Sequence, residues 1–226
     1  MGLGLSRREI RSRVDLIRHR PPAELFAAVR DRLSYVNDAY GLRRDLQVPF
    51  AAPSARIPLS VRPLQDRDVD RLLGTKAPGI DPAEAHERRA RTAMLRAGLQ
   101  TPYVAVTEAD EPAYVQWLLG PDQNDAVAHH FHGIFPRLAP DEALLEGAFT
   151  PAAFRGNRVM PFAMARIAEL GADLGARYVM TFVSLDNGAS LTGCERAGFT
   201  PCMTRRVTWR ALRQSVAFRP GRDVLD

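Results

Sequence analysis

Two stretches constrain the fold of this chain more than the rest of it. Residues 144–170, LLEGAFTPAAFRGNRVMPFAMARIAEL, read as a strand, a short loop carrying Arg155 and Gly156, and an amphipathic helix. Pro161 suits the first turn of that helix, where the N–H it lacks would have no partner. Residues 178–199, YVMTFVSLDNGASLTGCERAGF, read as a second strand, a turn led by Asn187, a helix of small residues and a closing Gly-Phe pair. Strands that alternate with helices in this way predict a sheet covered by helices. With 226 residues and 46% hydrophobic content, the chain is long enough for one main domain with an extension.

Ahead of these stretches, Pro21-Pro22 start a predicted helix in which Leu25, Phe26, Val29, Leu33, Val36 and Tyr40 recur at three- and four-residue spacing. Pro49, Pro53 and Pro58 then break regular structure, and IPLSVRPL reads as a strand. Residues 1–54 are therefore expected to hold a basic arm, an amphipathic helix and a proline-rich linker, and residues 55–226 the main domain. Helices are predicted over 66–73 and 82–99, the second opened by Asp81 as N-cap and Pro82. PYVAVTE and AYVQWLL read as a hairpin, 121–141 as an insertion with a short helix near 126–132, and TRRVTWRAL as a last strand.

The order strand, Arg155-Gly156 loop, helix, strand, Asn187-x-x-Ser190, helix, Gly198-Phe199 resembles the acyl-CoA-binding half of the GNAT acyltransferase superfamily. In that family a strand leads into Arg-x-x-Gly-x-Gly/Ala at a helix start, and a second strand leads into Asn-x-x-Ser/Ala. The resemblance is specific from about residue 142 to residue 199. It implies an α/β (α+β) domain with a mixed, mainly antiparallel sheet, splayed between its fourth and fifth strands and flanked by helices, to which the apolar spacing after Pro21-Pro22 adds an N-terminal helical extension. It also implies acetyl-CoA or another acyl-CoA as co-substrate and no metal.

In the family the splay takes the pantetheine arm, which bonds to backbone near the end of the first strand, here Ala148, Phe149 and Thr150. The loop Arg155, Gly156, Asn157, Arg158, Val159, Met160 falls where main-chain N–H groups at a helix start would cradle a pyrophosphate. The two later glycine positions of the family's loop hold Arg158 and Met160 here. Either Arg158 points outward toward a phosphate and Met160 packs under the helix, or the loop has lost cofactor binding. Asn187 and Ser190 match the family's pantetheine contact. A tyrosine seven residues beyond that asparagine often protonates the departing thiolate; this chain has Cys194 there, either a proton donor or a packed core residue.

Alternation along a strand over 142–150 places Glu142, Leu144, Glu146, Ala148 and Thr150 on one face. Glu146 is then a carboxylate among apolar neighbours. Burial would raise its pKa and suit it to take a proton from an amine, whereas at a strand edge it would form an ordinary ion pair. His129, His130 and His132 lie in the insertion without the cysteines or paired carboxylates that zinc ligation from several elements needs. They are expected at the surface or lining the acceptor pocket, to which Tyr114, Gln116 and Trp117 are further candidates.

The net charge of +5 and pI near 9.7 do not imply nucleic acid, because the basic residues are scattered, and Lys76 is the sole lysine among 31 of them. Their one dense cluster is Arg7, Arg8, Arg11, Arg13, Arg18 and Arg20. Neither a membrane-length apolar run nor a signal-peptide core is present, so a cytoplasmic chain with no membrane partner is expected. Oligomeric state, a homodimer included, stays open. The expected activity is transfer of an acetyl or other acyl group from CoA to a primary amine of a small molecule by direct attack. The alternatives are an acyl-CoA-binding module without turnover, and an acyltransferase using longer chains or acyl carrier protein. GNAT folds take many acceptors on one donor site, so the acceptor itself is not legible.

Overall fold

The computed structural model describes residues 34–75, 79–100, 102–210 and 213–221. Its elements are β1 (Ser34–Asp45), β2 (Leu59–Pro63), α1 (Asp66–Leu73), α2 (Pro82–Arg96), β3 (Pro102–Thr107), β4 (Pro112–Leu119), α3 (Asn124–His130), β5 (Glu142–Phe149), α4 (Val159–Glu169), β6 (Tyr178–Ser184), α5 (Gly188–Arg196), β7 (Thr200–Arg210) and β8 (Arg213–Pro220). Among the described residues the sheet has eight strands in the order β2-β3-β4-β5-β6-β1-β7-β8. β2-β3, β3-β4, β4-β5 and β1-β6 pair antiparallel, and β5-β6 parallel. Contacts divide the chain into two units. One comprises residues 38–205 with 218–221; the other, among the described residues, comprises 34–37, 206–210 and 213–217. Every site residue discussed below lies in the first.

The core forms two layers, one on each face of the sheet. β4 is buried at every position, and its side chains alternate between the layers. Tyr114 and Leu118 join Met164, Ile167 and Cys194 of α4 and α5, whereas Val115, Trp117 and Leu119 join Leu72, Met94, Leu144 and Phe149 on the side of α1 and α2. Asp81 caps α2 by accepting the Glu84 N–H at 2.7 Å, with Pro82 in the first turn, as its sequence predicts.

Two departures from the sequence expectation concern the chain's first half. Residues 34–40, expected to end a helix, belong to β1, which lies between β6 and β7 with Ala39 opposite Ser184 and Asp45 opposite Tyr178. The apolar spacing there fits either period over so short a run, and strand pairing decides it. Gly41 shows why: a Cβ would lie 2.5 Å from Met203 Cγ and 2.9 Å from Phe182 Cε1, so the strand needs glycine to sit between its neighbours. The sheet thus takes in residues ahead of the boundary expected at 55. The basic arm and the start of that expected helix lie outside the described residues. Because β1 precedes the others, the fourth and fifth expected strands are β5 and β6. At the C-terminal end, β7 starts four residues before the expected TRRVTWRAL strand, and β8 follows it.

Candidate active site

β5 and β6 pair only over Glu142–Leu144 and Tyr178–Met180, after which they part. A cleft of about 180 Å³ opens between them, lined from α2 by Arg91, from β4 by Gln116, from β5 by Glu146, Gly147 and Ala148, from β6 by Thr181 to Ser184, and from α4 and α5 by Met160, Met164, Asn187, Ser190 and Cys194. Lining residues come from both faces of the sheet. Glu146 stands opposite Trp117, a residue of the α2-side layer, while Met164 and Cys194 belong to the other. The cleft therefore reaches from one layer to the other.

A bulge shapes its wall. Trp117 pairs with Glu146 and Val115 with Phe149, so three residues of β4 face four of β5, and Gly147 takes up the extra one at φ +71°. The alternation expected along β5 ends there. Glu146 shares its face with Phe149 rather than with Ala148 and Thr150. A Cβ on Gly147 would lie 2.8 Å from Met94 Sδ and 2.9 Å from Trp117 Cε3, so neither the dihedral nor the space admits another residue readily.

Glu146 is half-buried at its surface, yet its carboxylate is enclosed by the cleft walls, and this burial raises its pKa above the ordinary carboxylate range. The Gly147 N–H, donating to Oε1 at 2.9 Å, and the charges of Arg91 and Arg205 offset part of that rise. Arg91 is also a clamp: Nε donates to the Gly147 carbonyl at 3.2 Å and Nη2 to the Ala148 carbonyl at 2.8 Å, and Glu87 holds its other arm. The bulged strand end is thus fixed by a helix facing it. Arg205 lies buried between the rings of Phe135 and Phe182, 5.3 and 5.2 Å from their centroids.

A second hollow of about 240 Å³ lies at the start of α4, lined by Thr150, Phe154, Arg155, Gly156, Arg158, Val159, Met160, Pro161, Ala189, Gly193 and Arg196. Arg158 occupies the N-cap in the left-handed region, φ 57° and ψ 28°, and so adopts the backbone that favours glycine. Among the described residues, no N–H from Gly156 to Met160 donates a hydrogen bond, and the exposed Arg158 and Arg196 guanidinium groups have no partner. Arg155 is half committed: Nε donates to the Thr150 carbonyl at 3.1 Å, and Nη2 lies 3.8 Å from the buried Glu84. Met160 packs across to α5, where a Cβ on Gly193 would come within 2.7 Å of its sulfur. Asn187 caps α5 by accepting the Ser190 N–H at 3.1 Å and also lines the cleft.

Cys194 is buried, its sulfur 3.7 Å from Met164 Sδ, and burial pushes its thiol up to about 12. Burial makes this thiol a weaker acid than an ordinary one, so giving its proton to the departing thiolate would run uphill. Packing, rather than proton donation, fits this position. Trp117 and the three histidines, expected as acceptor contacts, are placed elsewhere. Trp117 is fully buried in the α2-side layer, where its indole N–H donates to the Leu99 carbonyl at 3.2 Å, because β4 is covered on both faces. None of His129, His130 and His132 lines the cleft. His130 faces a groove between α1 and α2, and His129 and His132 are exposed.

Sequence reasoning passed over Arg91, Thr181 and Arg196. Arg91 follows Glu87 by four residues and looks like an ordinary helix ion pair. Arg196 had a signal, since Ala189, Gly193 and Arg196 recur at helical spacing and share the face that meets the loop.

No family model matches the sequence, and no curated protein matches it. Solved structures do. A GNAT-family acetyltransferase from Colwellia psychrerythraea superposes at TM-score 0.50 with 12% identity, over 76% of this chain and 55% of that one. A tandem GNAT protein from the clavulanic acid biosynthesis pathway gives TM-score 0.49 and 17% identity, over 91% of this chain and 61% of that one. AAC(6')-Iy, in complex with a bisubstrate analogue, gives 0.43 and 16%, over 63% of this chain and 91% of that one. The chain shares the fold of the Colwellia GNAT-family acetyltransferase. It spans about half the length of the Colwellia protein.

Proposed function

We propose that this protein transfers an acyl group, acetyl in the simplest case, from CoA to a primary amine of a small molecule. The observation that carries this is the cleft at the β5-β6 parting, which brings an enclosed carboxylate of raised pKa together with the side chains expected to hold the pantetheine. The donor site fits the co-substrate. Five N–H groups from Gly156 to Met160 without partners, with Arg158 and Arg196 beside them, suit a pyrophosphate. Asn187 and Ser190 lie along the cleft, where the pantetheine arm would run.

Chemistry follows from this placement. Glu146 faces the α2 side, so the amine enters from there, and the carboxylate takes a proton from the arriving ammonium or the attacking nitrogen. The amine nitrogen bonds to the thioester carbon, the C–S bond breaks, and the amide and CoA thiol are the products. Water protonates the leaving sulfur, since Cys194 is too weak an acid. Arg91 and the Gly147 bulge fix the strand end along which the thioester would lie, so that proximity rather than covalent catalysis lowers the barrier. Release of CoA thiol from acetyl-CoA over a panel of amines, with a thermal scan in CoA, tests this. Turnover with at least one primary amine is expected. Binding of CoA without turnover on any amine would leave an acyl-CoA sensor, and absence of both would defeat the assignment.

A further inference from the structure

Gln116 is the most deeply buried amide of the cleft, and among the described residues its donor has nothing to bond. It is 1% exposed and lies on the α4 face of β4, next to Tyr114 of the same face. Burial holds the Tyr114 phenol protonated, well above its usual range, and its O–H donates to Gln116 Oε1 at 2.7 Å. In this arrangement Oε1 is taken, and Nε2 points away from it. Among the described residues Nε2 has no hydrogen-bond partner. Nor is it sealed away from solvent, since it is not among the buried atoms without partners, and Gln116 lines the cleft. A buried amide held in one orientation with its donors open to a cavity needs an acceptor when water leaves, because an unmet buried donor costs more than a bond returns. The other side chains on this face are Ala148, Met160, Met164, Val183 and Cys194 with Thr181, Asn187 and Ser190, and among the described residues none of these bonds Nε2.

Resting on the acyltransferase reading above, we propose that Gln116 donates from Nε2 to the carbonyl oxygen of the bound acyl thioester, with Tyr114 as the residue that sets its orientation. Both act on the donor itself. As the amine adds, electron density shifts onto that oxygen, and a fixed donor bonds the developing oxyanion more strongly than the ground-state carbonyl.

The test compares acetyl-CoA with S-ethyl-CoA, which differ in the carbonyl oxygen, and with CoA, using equilibrium binding to the full chain. The parent should prefer acetyl-CoA to S-ethyl-CoA. Gln116→Leu should erase about tenfold of that preference, the worth of one good hydrogen bond, while the Kd for CoA moves less than twofold. Isotope-edited infrared spectra of bound acetyl-CoA should show the carbonyl stretch moving back toward its free frequency in the same variant, which a purely structural role would not produce. Tyr114→Phe should reproduce part of the shift. Because Gln116→Leu strands the Tyr114 hydroxyl, the double variant Tyr114→Phe with Gln116→Leu removes both partners and keeps the measurement available if the single variant fails to fold. An unchanged acetyl-to-ethyl preference overturns the proposal. So does an equal loss of all three ligands, or a loss confined to acyl groups with polar tails such as succinyl-CoA. If the parent binds none of them, the acyltransferase reading falls with it.

Discussion

Glu146 and Arg158 are each held in a state that an isolated residue would avoid, a buried carboxylate and a left-handed arginine. Glu146→Gln should lower turnover about a hundredfold, the lower end of general-base contributions, with CoA affinity nearly intact. Stability should move the other way. The fold raises this pKa, so the native state holds the proton more tightly than the unfolded chain, and the parent loses stability as pH climbs from about 4.3 through the raised value. Glu146→Gln should therefore melt higher than the parent at pH 8, with the gap closing toward pH 4. A gap of constant size would show that ionisation is not the cause. Arg158 separates charge from conformation. Arg158→Ala keeps the left-handed strain and loses the charge, and should weaken CoA by about 1.5 to 3 kcal/mol. Arg158→Gly should relieve about 1–2 kcal/mol of backbone strain while losing the same charge. If calorimetry shows Arg158→Gly binding CoA more tightly than the parent, the arginine obstructs the phosphate instead of holding it.

At the scale of elements, the cleft depends on how β5 ends. Gly147→Ala should cost about 1–3 kcal/mol from the positive φ alone, more once Met94 and Trp117 are displaced, and it should loosen the carbonyls that Arg91 clamps. Chemical denaturation measures the first effect. Acetyl-CoA binding measures the second, and unaltered affinity would remove the bulge from the site. Much of this region was legible in the sequence, because Arg155-Gly156 and Asn187-x-x-Ser190 are local signals, each made within one turn of chain. Glu146 was legible for the same reason, as a carboxylate in an apolar strand. The bulge was not, since a glycine inside a strand signals a bulge only once its partner strand sets the count of residues opposite it. Arg91 escaped because its contacts lie 56 and 57 residues away in sequence, and Trp117 was misplaced because alternation does not say which face of a doubly covered strand opens to a cavity.

At the scale of the whole molecule, the sheet is completed by a strand from the chain's first half. β1 lies between β6 and β7, with Thr200 and Cys202 of β7 donating side-chain hydrogen bonds to the Arg43 and Gly41 carbonyls at 3.3 Å. Arg44 reaches from β1 to α4, where Nη1 donates to the Ala165 carbonyl at 3.0 Å. β6 carries four of the cleft residues, and without β1 one of its edges would be unpaired and open to other chains. A truncated chain beginning at residue 55, where sequence periodicity puts the main domain, should therefore fail to give a stable, CoA-binding protein. A chain beginning at residue 34 keeps every described strand of the sheet. CoA at a hundredfold excess over its Kd should stabilise the longer chain by about 2.7 kcal/mol and leave the shorter one unaffected. Equal melting temperatures and equal ligand shifts for the two chains would show that β1 is an addition to the sheet and not a part that the site requires.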